Sequence, residues 1–227
     1  MAAERRERLT PLYGVVFVVL TVISIVLSLE GSPEDFPGSI DEIVTYYEEQ
    51  HGSLMASAWI GLIGAFFNLL FLGVLFDRLR AAEGPGRRLS VTAFGGGMAA
   101  VVVGLLIDTV NAAAAFRTEE DDTISAETAT VLYDIGSLLV GAALPVALAV
   151  LVAATGSLAL RTGVLPRWLG IVSLLLAVGL LILPIAWFMT GVALLWALAV
   201  SILLYLRPGT AAGPGGTPAE TGRTSPA

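Results

Sequence analysis

Two carboxylates inside otherwise uncharged apolar stretches are the first residues in this sequence that could do chemistry. Asp108 is the only charged residue between Val91 and Phe116, and Asp134 lies near the start of the next apolar run. A carboxylate within a membrane span costs about 3 kcal/mol on insertion scales, so it is a functional candidate by default. Two such groups close together cannot both ionise in a low dielectric, and the pair would bind a proton or a cation.

Each of these carboxylates has a polar neighbour on the same helix face. Asn111 follows Asp108 by three residues, and Ser137 follows Asp134 by three. The spans that carry them are consecutive and antiparallel, which predicts that the four side chains open on one polar pocket in the outer half of the bundle. Two other interpretations stay open: each Asp makes a hydrogen bond that fixes helix packing, or the fourth span enters the membrane after Asp134.

The residue types on which many other active sites depend are scarce or absent. The chain has no Cys and no Lys, and its single His is His51. The lack of Cys excludes disulfides and thiolate metal sites, and the lack of Lys excludes a Schiff-base enzyme or pump. One His cannot build a His-based zinc triad. We therefore predict no metal site and no cofactor in this chain.

The elements that must position Asp108 and Asp134 are membrane-spanning helices. The 227 residues are 56% hydrophobic and 14% charged, with a mean hydropathy of +0.85, against about 45–50% and about 25% in soluble domains. Apolar runs of about 20 residues, enough to cross about 30 Å of hydrocarbon, predict six spans. Pro184 divides the last uncharged stretch and predicts a tight hairpin there. The predicted spans are about 12–29, 54–76, 91–116, 130–160, 166–184 and 186–206.

The Arg residues set the orientation of this predicted all-α bundle. With six spans, eleven of the twelve Arg residues fall on one side, and only Arg117 falls on the other. The positive-inside rule makes the Arg-rich side cytoplasmic, so the N-terminal segment 1–11 and the tail 207–227 are both cytoplasmic. A cleaved signal peptide is the other interpretation of the first span, but its apolar run is longer than the usual 7–15 or so residues. The chain is predicted to lie in a bacterial inner membrane.

The predicted outer side is acidic and contains one ordered segment. Ser39 followed by Glu42 is a capping box, which predicts an amphipathic helix over 40–50 that lies on the interface or leads into the second span. The acidic residues solvate the two outer loops or, in the sharper interpretation, concentrate cations. The tail is rich in Gly and Pro and is predicted to be disordered. The acidic residues of the two loops are Glu30, Glu34, Asp35, Asp41, Glu42, Glu48, Glu49, Glu119, Glu120, Asp121, Asp122 and Glu127.

Other small and polar residues within the spans are predicted to serve packing. Gly96, Ala100 and Gly104 form a stripe that lets a neighbouring helix approach closely, within the bundle rather than in a dimer. Asn68 is predicted to make an interhelical hydrogen bond. His51 is predicted to be a polar residue at a helix end.

Four short segments occur in a recognisable order along the chain. They are 42–47 (EIVTYY) before His51-Gly52, 75–80 (LFDRLR), 132–134 (LYD) and 162–170 (TGVLPRWLG). In this arrangement the sequence resembles a group of bacterial integral membrane proteins of unknown function with about six spans. The resemblance covers nearly all of residues 10–207. It implies the fold and carries no activity, cofactor or site residue.

Three functions are compatible with these residues. The favoured one is an accessory or structural integral membrane protein, because no nucleophile–base pair or nucleotide-binding loop is present. The alternative is a small ion or solute transporter or channel that uses Asp108 and Asp134. The third is an intramembrane enzyme with the two Asp residues as an acid–base or aspartyl pair. The predicted partners are the lipid bilayer and either a membrane protein or a second copy of the chain, with no nucleic acid.

Overall fold

The computed structural model describes residues 9–33, 38–86, 88–121 and 123–206, and these contain helices and turns but no strand. The predicted all-α class is confirmed for this part of the chain. Predictions for the N-terminal segment up to residue 8 and for the tail lie outside the described residues. The six helices are α1 (Tyr13–Leu29), α2 (Ile40–Glu83), α3 (Arg88–Asp121), α4 (Ala126–Thr162), α5 (Arg167–Leu180) and α6 (Leu183–Leu206).

Five of the described helices are long and apolar enough to cross a membrane, and α5 is a shorter apolar helix of 14 residues. Helix α2 has 44 residues and α3 has 34, which correspond to about 66 Å and about 51 Å at 1.5 Å per residue. The hydrocarbon core is only about 30 Å thick. Both helices are therefore longer than one membrane crossing requires.

The N-terminus of α2 shows why this long helix begins where it does. The Ser39 hydroxyl oxygen accepts the backbone N–H of Glu42 at 3.3 Å, and the Ser39 N–H donates to the Glu42 carboxylate at 3.0 Å. The predicted capping box is confirmed. Segment 40–50 leads directly into the second span, because the helix continues without a break through Gly52. Its side chains Ile43, Tyr46 and Tyr47 are buried in the protein, as described below, so it does not lie flat on the interface.

Helix α4 is interrupted just before its proline. It consists of Ala126–Leu138, a π-helical turn at Leu139–Ala143 and a second segment, Leu144–Thr162. Pro145 is the second residue of that segment, where the N–H that proline lacks is not needed for the new helix. The π turn contains one extra residue, and this accommodates the backbone hydrogen bond that Pro145 cannot donate to the preceding turn.

The hairpin between α5 and α6 lies earlier than the sequence predicted. Helix α5 ends at Leu180 and α6 begins at Leu183, with Pro184 as its second residue. The prediction that Pro184 ends the fifth span is wrong. Proline is accepted in the first turn of a helix because that N–H has no intrahelical acceptor. The turn is closed by bonds from the N–H groups of Leu181 and Ile182 to the preceding helical turn.

The buried apolar residues form two separate cores. The main core joins α1, the second half of α2, the first half of α3, α4 after Pro145, α5 and α6. The second core is smaller and joins the start of α2, the end of α3 and the start of α4. Its buried members are Ile43, Tyr46, Tyr47, Leu54, Ala114, Ala115, Ile124 and Ala129.

Between the two cores lies a more loosely packed section, which we call the middle level: residues 59–70 of α2, 102–113 of α3 and 130–144 of α4. No residue of α3 or α4 in this section is buried, and Gly64 is the only buried residue of α2 there. All four predicted site residues belong to the middle level. These four side chains thus lie where few residues of the three helices are buried.

Glycines set the close approaches within the main core. A Cβ added to Gly96 would lie 2.6 Å from the backbone nitrogen of Leu151, so α3 and α4 nearly touch there. A Cβ on Gly156 would lie 2.6 Å from the Ser173 Cβ, which brings α5 against α4. The predicted packing of the small-residue stripe within the bundle is confirmed at Gly96. It does not extend to Gly104, where an added Cβ would meet no atom within 4 Å.

Candidate functional site

The carboxylate of Asp108 occupies the space that a side chain at Gly61 would fill. A Cβ on Gly61 would lie 2.5 Å from Oδ2 and 2.6 Å from Cγ of Asp108. Asp108 is half-buried, and its carboxyl group therefore lies on the backbone of α2. Only glycine at position 61 leaves room for it.

Asp108 has no hydrogen-bond partner among the residues that the structure describes. Asn111, which shares its helix face, and the side chains of α4 make no hydrogen bond to it. Helix α3 does pack on α4 at this level, but Val110 makes the contact, 3.9 Å from a Cβ built on Gly136. Residues 108 and 110 are about 200° apart around a helix that turns about 100° per residue. The face that carries Asp108 therefore meets α2 while the face of Val110 meets α4.

Asp134 lies on the first segment of α4, beside the second core, and is half-buried. Its neighbour Tyr133 packs edge-on against Tyr46 with ring centroids 6.4 Å apart. The Tyr46 hydroxyl donates to the Ser28 carbonyl at 2.6 Å and so ties α2 to the end of α1. Within the described chain, no hydrogen bond or electrostatic interaction joins Asp134 to Asp108. The pocket shared by the two carboxylates stays a prediction.

Small residues surround the Asp108 carboxylate on both helices. Helices α2 and α3 are antiparallel. Gly61 of α2 lies opposite Asp108 of α3, and further along the pair Leu72 of α2 lies against Gly97 of α3. This register places Ala65 opposite Gly104, which is one helical turn from Asp108. Since an added Cβ on Gly104 would meet no atom within 4 Å, little side-chain volume fills this position. Open space therefore lies one helical turn from Asp108.

Two other polar residues singled out in the sequence have a simpler environment. Asn68 is half-buried and forms no hydrogen bond within the described ranges, so the predicted interhelical bond is wrong. His51 is exposed, and its Nδ1 donates to the carbonyl of Glu48 in its own helix at 3.0 Å. Its position is within α2 and not at a helix end, because the helix continues past Gly52.

The start of α2 and residues 31–33, which follow α1, border a groove of about 470 Å³. Its lining includes the carboxylates of Asp41, Glu42 and Glu49 and the ring of Tyr46. In the described part of the chain, no group of three or more His, Asp or Glu side chains is arranged to hold a metal ion. The groove is thus acidic without being a chelating site.

No family model, curated protein or solved structure matches this chain. Its own residues therefore carry every functional inference.

The residue that sequence reasoning missed is Gly61. The pair Gly61 and Gly64, one turn apart in an apolar span, is the signal that could have identified a close approach on α2. It does not say which side chain approaches. The arrangement as built offers a single carboxylate beside small residues, which can bind one proton or one cationic group. Acid–base catalysis by a carboxylate pair would need a second group that interacts with Asp108.

Proposed function

We propose that this chain is a six-span integral membrane protein of the bacterial inner membrane, with both termini in the cytoplasm and an accessory rather than catalytic role. The observation that carries the proposal is the second core. Helices α2, α3 and α4 are longer than the bilayer requires, and their ends pack around buried tyrosines. A packed extension of three helices of this kind is suited to contact with another membrane protein or a second copy of the chain.

The short helix α5 is compatible with a sixth crossing. Its 14 residues correspond to about 21 Å at 1.5 Å per residue, and it begins at Arg167 on the Arg-rich side. A two-residue turn joins it to α6, whose 24 residues are long enough to cross. The end of α5 and the start of α6 therefore share one level. With α6 as a crossing helix, α5 ends at the side opposite to Arg167.

The Arg distribution supports the orientation. All of the described Arg residues except Arg117 lie near the ends of spans that face the same side in the six-span arrangement. Reporter fusions test it. A fusion at Ala212 should report the cytoplasm, and a fusion at Pro37 should report the outside. An outside signal at Ala212 would refute the six-span topology.

A small ion or solute transporter is the second candidate, and the observation in its favour is Asp108. A partnerless carboxylate within a span is a typical component of an ion pathway. An intramembrane enzyme is less well supported, because within the described residues Asp108 and Asp134 do not interact.

Flux measurements separate these candidates. The full chain reconstituted in proteoliposomes should give no K⁺ or Na⁺ flux above that of empty vesicles if its role is accessory. Flux that Asp108→Asn abolishes and Asp134→Asn preserves would replace the accessory proposal with a transport function.

A further inference from the structure

The geometry points to Asp108 as a proton-binding site in its own right, formed by one carboxyl group on the backbone of Gly61 and independent of Asp134. This inference does not rest on the accessory role, since an accessory protein and a transporter can both contain such a site. It names a ligand, the proton, and a single residue that binds it.

The first step of the argument is the lack of donors. The Asp108 carboxylate lies where a Gly61 side chain would be, against a backbone whose N–H groups are used within helix α2. No N–H or O–H group among the described residues donates to it. An ionised carboxylate without hydrogen bonds is costly in an apolar environment. A bound proton removes the charge without any rearrangement of the helices.

The second step concerns the groups that could replace the proton. Helix α3 packs against α2 and α4. Between Gly52 and Phe76, α2 contributes no titratable side chain, and at this level α4 contributes only Tyr133 and Asp134. No Arg or His faces Asp108 from either helix to form an ion pair.

The third step excludes a metal ion as the natural occupant. Hard cations such as Ca²⁺ and Mg²⁺ take six or more oxygen ligands at defined distances. The described residues offer one carboxylate against Gly61, and they contain no metal-binding cluster. A proton needs only the carboxylate.

The site can be tested with dicyclohexylcarbodiimide, an apolar reagent that partitions into the membrane. A protonated carboxyl adds its O–H across one C=N bond to give an O-acylisourea, and the acyl group then migrates to nitrogen to give a stable N-acylurea. Nothing leaves, so the chain gains one reagent mass. An ionised carboxylate has no proton to contribute, so modification reports proton occupancy.

The experiment uses the full chain in lipid nanodiscs, with the modified residue located by peptide mass spectrometry at a series of pH values. We expect the mass gain on Asp108, with a rate that falls by about tenfold per pH unit once the carboxyl is mostly ionised. Asp134→Asn should retain the modification and Asp108→Asn should lose it. Because the modified peptide is located in the wild-type chain, the result does not depend on either variant folding.

Two results would overturn the inference. One is the absence of modification at Asp108 under conditions in which the reagent enters the nanodisc. The other is modification that Asp134→Asn abolishes, which would mean that the two carboxyls form a joint site. A water-soluble carbodiimide serves as the control, because it should modify exposed acidic residues and leave Asp108 unmodified.

Discussion

The contact between Asp108 and Gly61 makes a quantitative prediction about a single methyl group. In Gly61→Ala the new Cβ would lie 2.5 Å from Oδ2 and 2.6 Å from Cγ of Asp108, well inside van der Waals contact. Either the carboxyl group rotates away or α2 and α3 separate. Insertion of a methyl group into a filled position typically costs about 1–3 kcal/mol.

A second effect acts in the opposite direction. Alanine is a better helix former than glycine by about 1 kcal/mol. In the wild-type background these effects leave Gly61→Ala destabilised by about 0–2 kcal/mol. In an Asp108→Ala background the methyl group has room, so the same change should stabilise the protein by up to about 1 kcal/mol.

The assay is a double-mutant cycle on the free energy of unfolding in mixed micelles. Gly61→Ala is measured with Asp108 and with Asp108→Ala, and we expect a coupling energy of about 1–3 kcal/mol. Gly73→Ala, in the same helix, is the matched control because its Cβ would meet no atom within 4 Å. It should have the same effect in both backgrounds. A coupling energy near zero at Gly61 would show that Asp108 does not lie on α2.

Three further variants test other contacts. Ser39→Ala removes the N-cap of α2 and should lower the stability of that helix end by about 1 kcal/mol, which would be measured as faster amide exchange in the first two turns of α2. Unchanged exchange would show that the capping box does not stabilise the helix. Ser24 and Ser57 donate to each other's backbone carbonyls at 3.0 and 2.8 Å, so Ser24→Ala and Ser57→Ala should each lower the free energy of unfolding by about 0.6 kcal/mol, and no loss in either variant would count against these bonds. Trp196→Phe removes the indole N–H that donates to the Ser173 hydroxyl at 2.8 Å, so it should lower the thermal midpoint of unfolding. In a Ser173→Ala background the decrease in the midpoint should be smaller. An equal decrease there would show that the effect comes from lost packing and not from the hydrogen bond.

Local features were predictable because their causes are local. Ser39 and Glu42 are three residues apart, so the capping box and the start of α2 follow from side-chain reach alone. Pro145 lacks an N–H wherever it is placed, so an interruption of α4 at that level needed no tertiary knowledge. The all-helical class follows from apolar runs too long for strands and long enough to cross a bilayer.

Other helix boundaries could not be predicted locally, because two conformations were acceptable at the same residues. Pro184 can end one helix or occupy the first turn of the next, and both are locally acceptable. The segment 40–50 could lie on the membrane surface or continue into the span. The burial of Tyr47 and Ile43 in the second core selects the continuous helix, because those side chains have partners only when α2 is straight enough to meet α3 and α4.

The sequence by itself determined that Asp108 lies within a span and that a carboxylate there needs an explanation. Only the tertiary structure decided what it faces. The i to i+3 spacing of Asp108 and Asn111 specifies a shared helix face but not the direction of that face. The rotation of α3 about its axis is set by the glycines at 61 and 96, which let α2 and α4 approach on two different sides. That rotation brings the carboxyl group onto Gly61, because glycine is the one residue whose side chain would not occupy the same space.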